Sequence, residues 1–150
     1  MKTALSRFQR GVTLIELMVV VAIVAIVFAF AFPSYERYIV RTKRAVAQNA
    51  ILQVADRQQQ FFMDNKQFAA DLTNLGFAAD PWVVDDDGAS TVAGDVDAVY
   101  SLTLSNVTQT TWTVTATPLH AQLSRDTQCG SLSITQAGTK ASAGGGANCW

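Results

Sequence analysis

The sequence predicts an α+β fold: a long N-terminal α-helix packed on a small antiparallel β-sheet, with a disulfide-closed loop at the C-terminus. Three observations predict it. Residues Val12 to Phe32 form an apolar run broken only by Thr13 and Glu16. From Ser34 to about Asn65 there is neither proline nor glycine, and apolar residues recur at helical spacing. Beyond Ala98 the spacing changes to two, and Cys129 and Cys149 bracket the last stretch of chain.

A short basic leader, residues 1–11 with Lys2, Arg7 and Arg10, precedes the apolar run. At about 1.5 Å per residue the run is roughly 32 Å long as a helix, enough to cross a bilayer core. It is longer than the apolar stretch of a secretory signal, and no small-x-small cleavage site follows it. Segment 12–34 is therefore expected as a membrane-spanning helix and 35–150 as a head. Pro33 lacks an N–H and is expected to kink the helix. Past it, Tyr35, Ile39, Val46, Ala50, Val54 and Phe61 fall on one face about 100° wide, expected to lie against the head. Arg37, Arg41 and Arg44 share the opposite face with Ile51 and Phe62, and that face is expected to point away from the head. Apolar residues on an outward face call for partner chains to cover them.

Residues 66–98 carry Gly76, Pro81, Gly88 and Gly94 and the acidic run Asp85, Asp86, Asp87. They read as a long irregular connection with a short helical turn near Asp71–Leu75 and room for a strand that the pattern does not place. Then Tyr100, Leu102 and Leu104 alternate with Ser101, Thr103 and Ser105. Trp112, Val114 and Ala116 alternate with threonines, and Leu132 and Ile134 with Ser131, Ser133 and Thr135. Each run is apolar on one side and hydroxylated on the other, as in an antiparallel sheet with one wet face. Asn106 to Thr110 is short enough for a hairpin loop, and Pro118 is expected to end the second strand. The glycine-rich stretch Ala137–Ala147 has little to bury and is expected to be loose unless pinned.

Net charge is −1, and without the leader 8 basic and 12 acidic residues sum to −4. A generally basic nucleic-acid binder is thereby excluded, so any DNA contact must come from a local patch. Cys129 and Cys149 read as a disulfide in an oxidising compartment, the alternative being two free buried thiols. Two cysteines and one distant histidine are too few ligands for a structural metal, so no metal and no cofactor is expected. The positively charged flanks of the apolar run balance, and the cysteine pair decides the orientation: N-terminus cytoplasmic, head on the oxidising side.

A charge inside an apolar span costs about 2.5–3.5 kcal/mol on insertion scales, so Glu16 needs a partner. Two readings stand. The carboxylate could snorkel to the membrane face. Alternatively, cleavage after Gly11 would free the α-amine of Val12, which could pair with Glu16 of its own or a neighbouring chain and set the register of side-by-side helices.

The stretch Arg10-Gly11-Val12-Thr13-Leu14-Ile15-Glu16-Leu17 resembles the processing site of type IV prepilins: basic leader, glycine at the cut, glutamate five residues on, then a long apolar helix with a proline at 33. Phe68 to Gly76, the strand Cys129-Gly130-Ser131-Leu132 and the terminal Cys149-Trp150 are similar to PilE-like minor pilins, a subgroup that includes the DNA-uptake pilins. The resemblance implies a type IV pilin fold and a structural role, not an enzyme. It implies cutting between Gly11 and Val12 by a prepilin peptidase, N-methylation of Val12 by the same enzyme, and use of Glu16 to align subunits. It further implies extraction from the membrane by an inner-membrane assembly platform into a filament of pilin subunits. Adhesion, twitching motility or DNA uptake would be the filament's task. Cys129 and Cys149 would bound the family's disulfide-closed region. Val12 departs from the phenylalanine usual at that position.

Three readings apply to Arg37, Arg41 and Arg44: a solvated helix face, contact with acids of a neighbouring subunit, or contact with DNA. The acidic run lacks the spacing of a calcium loop and reads as solvated. His120 has no paired nucleophile. Trp112 reads as core, and Trp150 as a lid on the disulfide. The rivals to a filament subunit are a competence pilin that binds DNA directly, a secretion pseudopilin, and a membrane-anchored enzyme. The last lacks any nucleophile, base or metal cluster.

Overall fold

The computed structural model describes residues 11–150. Of the expected leader only Gly11 falls among them; Lys2, Arg7 and Arg10 lie outside the described residues. The first element is a 52-residue helix, α1, Leu14–Asn65, which runs through Pro33. The chain divides into two compact units, one ending at Tyr38 and one comprising Ile39–Trp150.

In the first unit the apolar side chains of α1 are all exposed, from Leu14 at 77 % to Phe30 at 76 %. By length and composition α1 is able to cross a membrane. The rings of Phe28 and Phe32, four residues apart, stack at 6.0 Å.

The second unit sets the rest of α1 against one six-stranded antiparallel sheet. Its strands are β1 Trp82–Asp85, β2 Ser90–Thr91, β3 Ala98–Ser105, β4 Thr113–Pro118, β5 Leu132–Thr135 and β6 Lys140–Ser142, in the order β2-β1-β3-β4-β5-β6. Register places Trp82, Leu102 and Ala116 across from one another, and likewise Val84, Tyr100 and Pro118. Val114 pairs with Ile134 and Ala116 with Leu132. These side chains form the dry face and join Ala47, Ala50, Ile51 and Val54 of α1 in one core. The opposite face carries the hydroxyls of Ser101, Thr103, Thr115, Thr117 and Ser133, as the alternation predicts. Pro118 ends β4 as expected.

Four elements go beyond the sequence expectation. β1 and β2 lie inside the connection read as irregular: β1 buries Trp82, Val83 and Val84 in succession, and β2 has two residues, so neither shows a period. A six-residue helix, α2, His120–Arg125, follows Pro118. β6 sits in the glycine-rich stretch, where pairing with β5, not composition, makes the strand.

The buried face of α1 also differs from the expected stripe. The residues inside are Arg44, Ala47, Ala50, Ile51, Val54 and Gln58, a face turned by roughly 75° from the one that apolarity alone selects. Tyr35 is exposed, and Ile39, Val46 and Phe61 are half-buried. The placement of Arg44 and Ile51 on an outward face is thereby corrected. Both lie inside because Arg44 and Gln58, polar residues that break the stripe, find partners there. The Gln58 amide donates to the Ala69 carbonyl at 2.9 Å and accepts from the Ala69 N–H at 3.0 Å. That clamp folds residues 66–72 back over the helix end. Phe62, also expected outside, stacks on Phe68 at 4.7 Å as a result.

Candidate functional site

The N-terminal residues expected to act occupy one short stretch. Gly11, Val12 and Thr13 precede the helix, and Val12 is 72 % exposed. Thr13 caps α1: its carbonyl accepts from Leu17 N at 3.2 Å. Glu16 lies in the first turn, where a carboxylate suits the positive end of the helix dipole. Its Oε2 accepts from Thr13 N at 3.5 Å, and its own N–H donates to Thr13 Oγ1 at 3.3 Å. The Arg37 guanidinium donates to the Pro33 carbonyl at 3.2 Å and to Ser34 Oγ at 3.4 Å.

The basic trio does not act as one face. Arg37 and Arg41 are exposed, whereas Arg44 is 7 % exposed. Arg44 grips Asp126 with two hydrogen bonds, Nε to Oδ2 at 3.0 Å and Nη2 to Oδ1 at 2.6 Å. A third runs from Nη1 to the Asn148 carbonyl at 3.3 Å. Asp126 is 1 % exposed and is shared with Tyr100, whose hydroxyl donates to Oδ2 at 3.4 Å. The Gln122 amide donates to Tyr100 Oη at 3.0 Å and to the Val40 carbonyl at 3.2 Å. The hydrogen bond to Asp126 pushes the Arg44 pKa up, and burial pushes the Tyr100 phenol up to about 12. A contact of Arg44 with DNA or a partner is therefore corrected: the side chain ties α1 to α2 and the C-terminal segment. The spacing 37, 41, 44 is helical, but no pattern in the sequence points to Asp126, 82 residues away.

Cys129 and Cys149 are joined, with Cα atoms 5.5 Å apart. The bridged segment is held at further points. Gly144 N donates to the Cys129 carbonyl at 2.9 Å, Gly146 N to Gln128 at 3.1 Å, and the Gln48 amide to the Cys149 carbonyl at 2.9 Å. Trp150 is half-buried, and its indole N–H donates to Ala141 of β6 at 2.9 Å. The Lys140 ammonium lies 5.1 Å from the centre of that ring.

Among the described residues of the second unit the exposed lysines and arginines are Arg41, Lys66, Arg125 and Lys140. Lys43 faces Asp86 at 3.9 Å, and Arg57 lies over the Phe77 ring while donating to the Leu75 carbonyl. The acids of the long connection serve turns. Asp85 Oδ1 accepts from Asp87 N and Ala89 N, and Asp95 accepts from the Thr91 hydroxyl. That hydroxyl, followed by the N–H of Asp97, holds the Asp95 carboxyl below its ordinary range. His120 Nε2 lies 3.1 Å from the Ala93 carbonyl.

Comparison with known proteins places the chain. Residues 33–133 match the family model described as "Type IV minor pilin ComP, DNA uptake sequence receptor". Residues 6–32 match the prokaryotic N-terminal methylation motif. The type IV major pilin protein PilA of Myxococcus xanthus (strain DK1622) is 37 % identical over 76 residues, 49 % of this chain and 34 % of that one. The type IV major pilin protein PilE1 of Neisseria gonorrhoeae is 37 % identical over 81 residues, 51 % of this chain and 47 % of that one. This chain thus spans between a third and a half of the length of these curated relatives. A solved type IV pilin from Shewanella oneidensis aligns with 71 % of this chain and 92 % of its own, at 20 % identity and a TM-score of 0.45. With the receptor-family model spanning two thirds of the sequence and the methylation motif ahead of it, the chain belongs to the type IV minor pilins, a structural family and not an enzyme family.

Proposed function

We propose that this chain is a subunit of a type IV pilus, minor in abundance, held first in the inner membrane and later in a surface filament by the apolar part of α1. The observation that carries this is the exposure of every large apolar side chain from Leu14 to Phe32, with Glu16 the one charge among them. Such a surface needs an apolar surrounding at every stage. The bilayer supplies it before assembly and neighbouring helices supply it afterwards. The two surroundings differ little, so transfer is driven from outside by an assembly platform. In the precursor the N-terminus is cytoplasmic and the head periplasmic, where an oxidising compartment supports Cys129–Cys149. A prepilin peptidase cuts between Gly11 and Val12 and methylates Val12, and Glu16 aligns the subunit with a freed amino terminus. Pro33 loosens the helix where its N–H is missing. Glu16→Ala is expected to leave the head folded and to lower incorporation into pili by tenfold or more, read by immunoblot of sheared filaments. Incorporation at the wild-type level refutes the alignment role.

Within the filament the head receives DNA. Support comes from the description of the matched family model and from one exposed cation, Lys140, beside the ring of Trp150. Arg41 belongs to the same reading as a contact for DNA or a neighbouring subunit. Binding of DNA by the processed chain is expected to weaken linearly in log salt, with a slope near 0.9 per phosphate contacted. Lys140→Ala is expected to reduce that slope by about one contact. Binding that is insensitive to salt refutes the reading.

A further inference from the structure

The start of α1 holds a device that the alignment role of Glu16 does not explain. Thr13 is the N-cap, since its carbonyl accepts the first intrahelical bond from Leu17 N. Its hydroxyl accepts from Glu16 N at 3.3 Å, and the Glu16 carboxylate returns to accept from Thr13 N at 3.5 Å. These two reciprocal bonds between a threonine and a glutamate three residues on form a capping box.

We propose that Thr13 is the positioning residue for Glu16, holding its carboxylate back along the helix toward the chain start, in the orientation that subunit alignment uses. The proposal rests on the pilus-subunit reading above and names a second residue that the alignment requires. A glutamate side chain has three rotatable bonds and in water would sample many directions. At the edge of an apolar surrounding, water is not there to serve the unpaired N–H groups of a first helical turn. The box serves two of them, Thr13 N and Glu16 N, within the chain. It leaves the carboxylate one peptide unit from the nitrogen of Val12, the atom that becomes an amine on processing. The helix begins at Leu14, so Gly11–Thr13 lie outside it. Thr13 therefore marks the helix start and aims the acid at the same time.

The test uses the full processed chain in detergent micelles, with amide hydrogen exchange followed by NMR, and in parallel the fraction of each variant incorporated into pili. Thr13→Val keeps the branched shape and removes the hydroxyl acceptor. It is expected to speed exchange at the Glu16 amide about fivefold, as loss of a cap does, and to lower incorporation. Thr13→Ser keeps the hydroxyl and is expected to match the wild type in both measurements. Glu16→Gln keeps an acceptor for Thr13 N but no charge, so it is expected to retain slow exchange and lose incorporation. An unchanged exchange rate in Thr13→Val overturns the box. Faster exchange with full incorporation overturns its service to assembly. Normal assembly of Glu16→Gln overturns the alignment reading itself, an outcome distinct from both.

Discussion

Arg44 and Asp126 have lost nearly all contact with water, their side chains being 9 % and 1 % exposed. Taking two charges out of water is expensive, and their attraction offsets the loss only when geometry is good and other polar atoms are satisfied. Here both conditions hold: the grip is two-pronged, and Tyr100, Gln122 and the Asn148 carbonyl take up the remaining donors and acceptors. Arg44→Met is expected to destabilise the head by about 3–5 kcal/mol, because it strands a buried carboxylate. The double change Arg44→Met with Asp126→Leu is expected to recover most of that loss, read by urea unfolding of the oxidised protein. The same cluster sets an alkaline limit. The Tyr100 pKa is raised by burial to about 12, above the ordinary value near 10. Its contribution to stability is therefore complete below pH 10 and is lost as pH rises toward 12. Tyr100→Phe is expected to remove about 2–3 kcal/mol of pH dependence in that window. An equally steep alkaline loss in the variant counts against the assignment.

Among the elements, the C-terminal segment shows how a stretch with little of its own to bury becomes ordered. Side chains of α1, the edge of β5 and the disulfide each hold part of it. Gly144 runs so close to Gln128 and Thr127 that a Cβ would collide with their carbonyl groups. Gly144→Ala is expected to cost about 1–3 kcal/mol by forcing the segment off, with the shared sheet β1–β4 retained. Unchanged thermal stability refutes that tight approach. The strands β3, β4 and β5 were legible from their alternation, because one face of each is core and the other wet. β1, β2 and β6 were not: β1 buries Trp82, Val83 and Val84 in succession and so does not alternate, and β2 and β6 have only two and three residues, paired by their neighbours. The capping box was not among the sequence expectations, although Thr13-x-x-Glu16 ahead of an apolar run is a local pattern whose residues lie within one turn.

For the whole molecule, the long apolar helix with its lone acid, the period-two strands and the cysteine pair follow from the order of residues alone. Each of these is written in local composition or short-range periodicity. The family resemblance at residues 10–17 is equally local, and the family models match residues 6–32 and 33–133. Which face of α1 turns inward, and what becomes of Arg44, depends on the folded head. Apolarity selects a stripe on the assumption that polar residues stay in water. That assumption fails wherever a distant part of the chain supplies a matching group, as Asp126 does for Arg44 and the Ala69 backbone does for Gln58. The burial of a polar side chain is a property of the pair, and the second member of each pair is chosen by the fold.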